Sequence, residues 1–326
     1  MSLEVIEPGL STTVQDLGRP GHYHLGFPLG GSMDQESALL ANALVGNTPD
    51  AAVLECTYIG PRLRAINSVA VAVTGAPVDV KLNGADVPQW HRLQLSPGDE
   101  LSFGLIKAGM TFSIAVRGGV DVPISLGSRS TYSIGRIGGV EGRAIAVGDL
   151  IPVGRATMEL PRGASVPSKD RPRFEPRQDL RVVLGLYDHL LTSEGLRRLL
   201  ESDWTLTPNA NRMGLRLQGP GVEWQPRVPP FGAGQDPSNI VDAGYAMGSI
   251  QIPGGTQPIV LHRDAVSGGG YAMVATVISA DLDLLARARP GDAIHFSRVS
   301  LTDALVVRAH RSQRINKIAS NLHSSR

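Results

Sequence analysis

The sequence predicts a mainly β protein with a few short helices, arranged in two β-rich domains. Three features support this class: 38 glycines and 23 prolines against 5% aromatic residues, many short β-branched stretches, and a Pro-Gly-Asp turn before a strand-like segment in each half, at 97–99 and 290–292. Glycine permits positive φ and proline fixes φ at turn starts, so both favour frequent chain reversals. The 326 residues suffice for two domains of ordinary size.

Strands are predicted where short β-branched stretches lie between turn-forming residues. They cover residues 69–74, 78–82, 101–105, 112–116, 180–184, 258–261 and 275–278. Each stretch is too short for a helix of average length, and glycine or proline stands nearby. Many short strands of this kind are typical of sheets or barrels and not of a helical bundle.

Three helices are predicted between the strands. Residues 34–45 have an acidic start, an apolar stripe that includes Leu40 and Leu44, and Gly46 as the stop. Residues 192–201 begin at a threonine cap, and residues 279–288 begin at a serine and end before Pro290. The basic tail after residue 303 contains an apolar stripe and is expected to form a frayed or lightly docked terminal helix.

The domain boundary is predicted in a proline-rich segment. Residues 155–179 contain four prolines among charged residues and little periodicity, as is typical of a linker. The predicted domains are therefore an N-terminal β domain over 1–160 and a C-terminal β domain over 178–326, joined by a linker over 161–177.

Composition argues against several classes of function. The formal net charge of +1, from 31 basic and 30 acidic residues, predicts no nucleic-acid surface. The N-terminal residues lack the basic and apolar regions of a signal peptide, and no apolar run approaches the roughly 20 residues that span a bilayer. No membrane contact and a cytoplasmic location are therefore expected. Cys56 is the single cysteine, in an apolar context that predicts a buried, inert thiol.

Standard catalytic motifs are missing. The sequence has no GxxxxGK[ST] phosphate loop, no HExxH, no CxxC and no GxSxG. His22 and His24 would share one face of a strand, but no third ligand follows from their spacing, so no metal site is predicted. We predict that this chain binds no cofactor, and that ATP, if the reaction consumes it, is bound by another chain.

Taken together, seven segments of the chain resemble those of a known family. The match runs from near the N-terminus to about residue 296. The chain resembles the allophanate hydrolase subunit 2, or biotin-dependent carboxyltransferase, family. Relatives of that family include the 5-oxoprolinase C subunit, KipA and part of the carboxyltransferase domain of urea carboxylase. The segments are TTVQDLGRPG, GSMDQESALLANALVGN, LECTYIGP, SRSTYSIGRIGGVEGRAIAVGD, NRMGLRLQGP, GSIQIPGGTQPIVL and GGGYAMVATVISADLDLLARARPGD.

The resemblance implies two cyclophilin-like β-barrel domains and an amide-processing enzyme subunit that is inactive alone. The leading prediction is an ATP-dependent 5-oxoprolinase, which opens the lactam of 5-oxoproline to glutamate with a subunit-1 (KipI-like) partner and a LamB/YcsF-type subunit. A first alternative is a carboxyltransferase that moves CO2 from carboxybiotin to urea or another small amide, with a biotin carboxylase as partner. Because the chain has no AMKM-like site, the biotin would sit on a separate carrier. A second alternative is a KipA-type regulatory binding protein.

Site residues follow from the chemistry of such substrates. An amide carbonyl is a poor electrophile and its nitrogen a poor nucleophile, so a site needs donors at the oxygen and a carboxylate near the nitrogen. The glycine-rich, polar matching segments supply such groups, and the first helix opens with N–H groups that suit an anion. The predicted catalytic residues are Asp16, Glu141, Asp264 and Tyr132. The predicted substrate-binding residues are Gln15, Arg19, Asp34, Arg129, Arg212, Gln251 and Tyr271.

One segment departs from the family pattern. Relatives generally have DRQTTGGYP after the strand predicted at 258–261, whereas this chain has DAVSGGGYA from Asp264 to Ala272. The aspartate, a glycine pair and Tyr271 remain, but an arginine, a glutamine and a threonine are replaced. The sequence therefore predicts the family and leaves the identity of the amide open.

Overall fold

A computed structural model describes residues 1–324, and it confirms the mainly β class, with strands outnumbering helices by far among these residues. The chain forms two compact units. Unit 1 comprises residues 1–19, 30–174 and the segment from 312 onward, and unit 2 comprises residues 20–29 and 175–311. The chain passes from unit 1 to unit 2 after Phe174, so residues 161–174 of the predicted linker belong to unit 1.

Unit 1 contains two sheets. Their strands are β1 (Ser2–Glu7), β2 (Ser11–Gln15), β3 (Val53–Thr57), β4 (Arg62–Ala65), β5 (Val69–Gly75), β6 (Val80–Leu82), β7 (Ala85–Val87), β8 (Arg92–Leu95), β9 (Glu100–Phe103), β10 (Thr111–Val116) and β11 (Leu150–Pro152). One sheet has the order β11-β1-β4-β9-β6-β7, and the other has the order β2-β3-β10-β5-β8. All pairings in both sheets are antiparallel.

The core of unit 1 follows from the two-residue period of its strands. In β5 every residue is buried, as expected for a strand that is covered on both faces. Val71 and Val73 pack into the large aliphatic core of unit 1. Ala72 packs into a second cluster, together with residues of helix α1 (Gln35–Val45). Small side chains on that face let the helix approach the sheet closely.

Helix α1 is the predicted first helix. It begins after Asp34 and ends before Gly46, as the capping residues predict. Asp34 accepts a hydrogen bond from the Ser37 amide at 3.1 Å, which satisfies one of the free donors of the first turn. Gly46 ends the helix with φ of 67°, in the left-handed conformation that glycine adopts without a steric penalty.

The basic tail is part of helix α4 (Leu301–Ser324), and its last part is docked on unit 1 instead of frayed. Ile315, Ile318 and Leu322 recur at helical spacing and are buried in the cluster that contains residues of α1. Arg314 also pairs with Glu36 at 2.6 Å between Nη2 and Oε1. The predicted apolar stripe was therefore correct, but the helix is longer and more firmly packed than expected.

Unit 2 contains a closed barrel, which confirms the predicted barrel for this half. Its strands follow the order β12-β19-β16-β17-β14-β13-β20, and the parallel pair β12/β20 completes the ring. Two further strands, β15 and β18, form a separate ribbon. The strands of unit 2 are β12 (Arg177–Leu184), β13 (Asp203–Ala210), β14 (Gly214–Gln218), β15 (Asn239–Gly244), β16 (Ser249–Gln251), β17 (Ile259–Leu261), β18 (Gly268–Tyr271), β19 (Met273–Val277) and β20 (Ala293–Arg298).

The helices of unit 2 are α2 (Ser193–Glu201), α3 (Leu282–Arg287) and the first part of α4. Thr192 caps α2 as predicted, through a hydrogen bond from the Gly195 amide to its hydroxyl. Helix α3 is shorter than the predicted range 279–288. The carboxylate of Asp281 at its start pairs with the Arg181 guanidinium instead of capping the helix.

All seven predicted strands are present, and their bounds differ from the predicted ones by at most three residues, at the start of β12 (177 against 180). None of the helices within residues 1–324 combines the length and the apolar character that crossing a membrane requires.

Candidate functional site

Asp16 in unit 1 lies at the centre of a hydrogen-bond network. Its Oδ1 accepts from the Gly18 amide at 2.7 Å and from the hydroxyls of Ser128 and Ser130 at 2.6 and 2.5 Å. Its Oδ2 accepts from the Arg129 amide at 2.6 Å. Three donors share Oδ1 and one binds Oδ2, so the chain itself holds both oxygens of the carboxylate. This geometry favours a positioning role for Asp16, which joins the end of β2 to the 128–130 segment.

Arg129 belongs to the same network through its backbone, but its side chain extends elsewhere. Its Nη2 donates to Asp121 Oδ1 at 2.8 Å, and its Nε donates to the Val122 carbonyl at 3.0 Å. Asp16 and Arg129 both line a small cavity of about 130 Å³. The structure thus brings these two predicted site residues together.

Arg19 and Gln15 are buried next to this network. Arg19 is only 1% exposed, and its Nη2 donates to the Ser130 carbonyl. Gln15 donates from Nε2 to Thr13 Oγ1 at 3.0 Å and to the Thr131 carbonyl at 3.1 Å. Both side chains tie the 130–131 backbone to the end of β2, so the two residues organise the wall beside Asp16.

Asp34 has a structural role at the start of helix α1. Its carboxylate accepts from the amide and the hydroxyl of Ser37, at 3.1 and 2.7 Å. The helix N-terminus that was predicted to receive an anionic ligand is therefore already capped by a carboxylate of the chain itself.

Glu141 and Tyr132 lie in the loop that follows. Glu141 adopts φ of 53°, its side chain is 79% exposed, and its carboxylate approaches Arg143 at 3.3 Å. It lines a cavity of about 470 Å³ together with Arg136 and Leu150. Tyr132 forms an isolated bridge with Ile137 that closes the turn before this cavity, and it is not one of the lining residues.

A cavity with a volume of about 770 Å³ lies at unit 2. It is lined by strands β13, β14, β16 and β17 and by the segment that reaches β18. Two predicted substrate-binding residues meet here, Gln251 and Tyr271. Polar residues that the sequence did not single out line it too, namely Asn209, Asn211 and Arg216.

Arg212 and Asp264 pair beside the residues that line this cavity. Arg212 Nε lies 2.8 Å from Asp264 Oδ2, and Nη2 lies 3.0 Å from Oδ1, which is the bidentate arrangement of a strong charge-assisted pair. The Asp264 amide also donates to the Arg212 carbonyl at 2.8 Å. The neighbouring residues Asn211, Met213 and Ala265 line the cavity, so the pair joins two of its walls.

Replacing Asp264 by alanine should lower the free energy of unfolding by about 2 kcal/mol, because Arg212 would lose the bidentate carboxylate in a setting where its side chain is only 19% exposed. Denaturant unfolding measures this. The matched control is Asp203→Ala, which breaks a pair with Arg177 whose side chains are 51% and 46% exposed and should cost under about 1 kcal/mol. Equal losses in the two variants would contradict the structural role of the Arg212–Asp264 pair.

His262 is fully buried behind the same segment. Its Nε2 lies 3.2 Å from the Leu282 carbonyl, which makes it the protonated nitrogen of a neutral ring. Burial, with a further contribution from the charge of Arg263, lowers the pKa of His262 to about 3. The imidazole therefore stays neutral in the folded protein.

The depressed pKa of His262 predicts acid sensitivity. The unfolded chain takes up a proton near pH 6.5 and the folded chain only near pH 3, so the stability from His262 is complete above 6.5 and is lost as the pH falls towards 3. Between pH 7 and 5.5 the free energy of unfolding should fall by about 1.2 kcal/mol from this group. Denaturant titrations at both pH values, compared between wild type and His262→Gln, measure it. An equally steep fall in the variant would refute this assignment.

Tyr245 is a buried residue that sequence analysis missed. Its hydroxyl donates to the Tyr271 carbonyl at 2.8 Å and accepts from the Tyr271 amide at 2.7 Å. One side chain therefore fixes the backbone of a residue that lines the cavity. The residues around Tyr245 offer no sequence pattern from which this contact could be predicted.

The remaining sequence predictions concern cysteine and metals. Cys56 is fully buried, and burial raises the pKa of its thiol far above the ordinary value, so the predicted inert thiol is confirmed. Within residues 1–324, no group of three or more His, Cys, Asp or Glu side chains is arranged to hold a metal ion.

Known proteins resemble this chain along nearly its whole length. Residues 25–298 match the family described as carboxyltransferase domain, subdomain A and B. The chain is 32% identical over 322 residues to the C subunit of the Escherichia coli 5-oxoprolinase, and the alignment covers 99% of each protein. It is 35% identical over 321 residues to a putative urea carboxylase of Emericella nidulans, covering 97% of this chain and 26% of that protein.

A solved structure agrees with these sequence matches. The crystal structure of the Kluyveromyces lactis urea carboxylase superposes with a TM-score of 0.92 at 32% identity, covering 97% of this chain and 29% of that one. The chain thus spans about a quarter of the length of the urea carboxylases that it matches.

Proposed function

Because the chain belongs to the carboxyltransferase family of subdomains A and B, we propose that it is a subunit of an ATP-dependent 5-oxoprolinase. The observation that carries this proposal is the similarity to the C subunit of the E. coli 5-oxoprolinase, which extends over 99% of both proteins. The assembly would open the lactam of 5-oxoproline to glutamate.

The E. coli relative is named as one subunit of its enzyme, which supports an assembly of several chains. We propose a subunit-1 (KipI-like) protein and a LamB/YcsF-type subunit as the partners. ATP is used by the complex and bound outside this chain, and the cytoplasm, where ATP is available, is the proposed compartment.

The cavity at unit 2 supports a role in holding the substrate. Opening a lactam requires donors that stabilise the charge developing on the carbonyl oxygen when water adds to the carbon. Gln251 and the Tyr271 side chain supply neutral hydrogen-bonding groups there, and Arg216 supplies a positive charge. Asp264, which pairs with Arg212, adjoins the lining residue Ala265 and is the carboxylate proposed to act at this cavity.

The network around Asp16 supports a different role. Both oxygens of its carboxylate accept hydrogen bonds from donors of unit 1. We therefore propose that Asp16 positions the 128–130 segment, and that Asp264, whose carboxylate is held by Arg212, orients the substrate rather than acting as acid or base.

ATP-dependent release of glutamate from 5-oxoproline tests the proposed function. The chain is mixed with its two proposed partners, and each component is omitted in turn. We expect glutamate only from the complete mixture, and we expect Tyr271→Phe and Gln251→Leu to reduce the rate. A correctly assembled complex that releases no glutamate would contradict the proposal.

A carboxyltransferase is the second candidate, and the TM-score of 0.92 to a urea carboxylase favours it. In that case the assembly would move a carboxyl group from carboxybiotin on a separate carrier to urea or another small amide. Incubation of the chain and its partners with carboxybiotin and urea, followed by detection of the carboxylated product, distinguishes this candidate from the first.

A further inference from the structure

The cavity at unit 2 holds features that define its ligand more closely, and this inference rests on the proposed function. We propose that Gln251 recognises an amide whose N–H and C=O lie on the same side, and that Arg216 binds a carboxylate attached to it. A lactam acid such as 5-oxoproline carries both groups in one small molecule.

Gln251 supplies the proposed contact to the amide. It ends strand β16, lines the cavity and is only 5% exposed. Its Nε2 is buried and has no hydrogen-bond partner within residues 1–324. Buried polar groups in folded proteins are almost always hydrogen-bonded. A ligand that accepts a hydrogen bond from Gln251 Nε2 would satisfy this buried donor.

The shape of a carboxamide decides which ligand fits. The side chain of glutamine presents an N–H donor and a carbonyl acceptor next to each other. Two parallel hydrogen bonds form when the ligand presents the complementary pair on one edge. The ring of a lactam forces its N–H and C=O onto one side, and urea has the same edge. A peptide bond is almost always trans, so its two groups point in opposite directions and cannot make the pair.

Arg216 supplies the proposed contact to the carboxylate. It lies on β14 and is the only charged residue that lines the cavity within the described part of the chain. Its guanidinium makes no ion pair with a carboxylate among residues 1–324. A guanidinium matches a carboxylate through two parallel hydrogen bonds. Arg216 is therefore the proposed partner of the ligand carboxylate. Urea has no carboxylate and cannot make this ion pair.

Tyr271 forms a further part of the cavity lining. It is 40% exposed, while the Tyr245 hydroxyl holds its backbone on both sides. The two hydrogen bonds fix the position of this part of the cavity lining.

Three ligands test the inference on the full chain and again on its assembly with the proposed partners. They are 5-oxoproline, N-methyl-5-oxoproline, which lacks the N–H, and 2-pyrrolidone, which lacks the carboxylate. Dissociation constants come from calorimetry or ligand-observed NMR. We expect N-methylation to weaken binding at least about tenfold, and Gln251→Leu to remove this difference.

Arg216→Gln should weaken 5-oxoproline binding about tenfold or more and leave 2-pyrrolidone binding unchanged. The matched control is Arg298→Gln, an arginine of unit 2 that does not line the cavity. The ligand series on the wild-type chain needs no variant, so a variant that fails to fold does not weaken the test.

The outcomes separate this inference from the proposed function. Equal binding of 5-oxoproline and its N-methyl derivative, or no binding to either the chain or the assembly, overturns the inference whatever the glutamate assay gives. Selective binding without glutamate release supports the inference and overturns the 5-oxoprolinase assignment.

Discussion

Replacement of Gly138 by alanine is expected to destabilise unit 1 by about 4 kcal/mol or more. Gly138 has φ of +68°, and an added Cβ would lie 2.1 Å from the Ser130 carbonyl oxygen and 3.1 Å from Arg19 Nη2. The oxygen is backbone, so it cannot turn away as a flexible side chain could. The carbonyl that Arg19 binds would have to move.

The control for this variant is Gly127→Ala in the same region of unit 1. Gly127 has a similar φ of +78°, but nothing lies within 4 Å of the position that the added methyl group would occupy. The control therefore measures backbone strain alone and should cost about 1 kcal/mol. Denaturant unfolding of both variants gives the difference. If both variants lowered the free energy of unfolding by similar amounts, the clash with the Ser130 carbonyl would make no contribution to the loss of stability.

Replacement of Asp16 by alanine is expected to lower the free energy of unfolding by about 3–4 kcal/mol. Four donors would lose their acceptor at once, and two of them belong to the largely buried side chains of Ser128 and Ser130. A hydrogen bond to a charged group contributes about 1.5–3 kcal/mol, and shared networks contribute less than the sum of their pairs. Thermal and denaturant unfolding both measure this loss.

Asp50→Ala is the matched control, because Asp50 lines the same small cavity but makes no hydrogen bond or ion pair within residues 1–324. It should change stability by less than about 0.5 kcal/mol. The pair of variants also separates two roles for Asp16. A folded Asp16→Ala protein of normal stability whose assembly is inactive would mean that Asp16 is catalytic and would refute the positioning role.

The candidate site residues form two kinds of polar cluster. In unit 1, the carboxylates of Asp16 and Asp34 accept hydrogen bonds from the chain itself. In unit 2, Gln251 and Arg216 line a large cavity and keep hydrogen-bonding capacity for a ligand. Groups of the second kind are the better candidates for substrate contact, because a group that is already satisfied must break its bonds before it can bind.

Residues that act locally were predictable from the sequence. The helix from Gln35 to Val45 follows from an acidic cap and a terminal glycine, and the strands follow from short β-branched stretches between turns. Seven ordered segments were enough for the family. Signals of this kind depend on spacings of a few residues, so the sequence alone determined the fold class, the main elements and the family.

Only the tertiary structure decided which polar groups serve as partners. Asp16 meets Ser128 across 112 positions of the chain, and Arg212 meets Asp264 across 52. Such contacts depend on strand register and loop path, which residue spacing does not encode. For the same reason Arg216 could not be predicted to line a cavity with Gln251: the pairing of β14 with β17, and of β17 with β16, brings their strands into one wall.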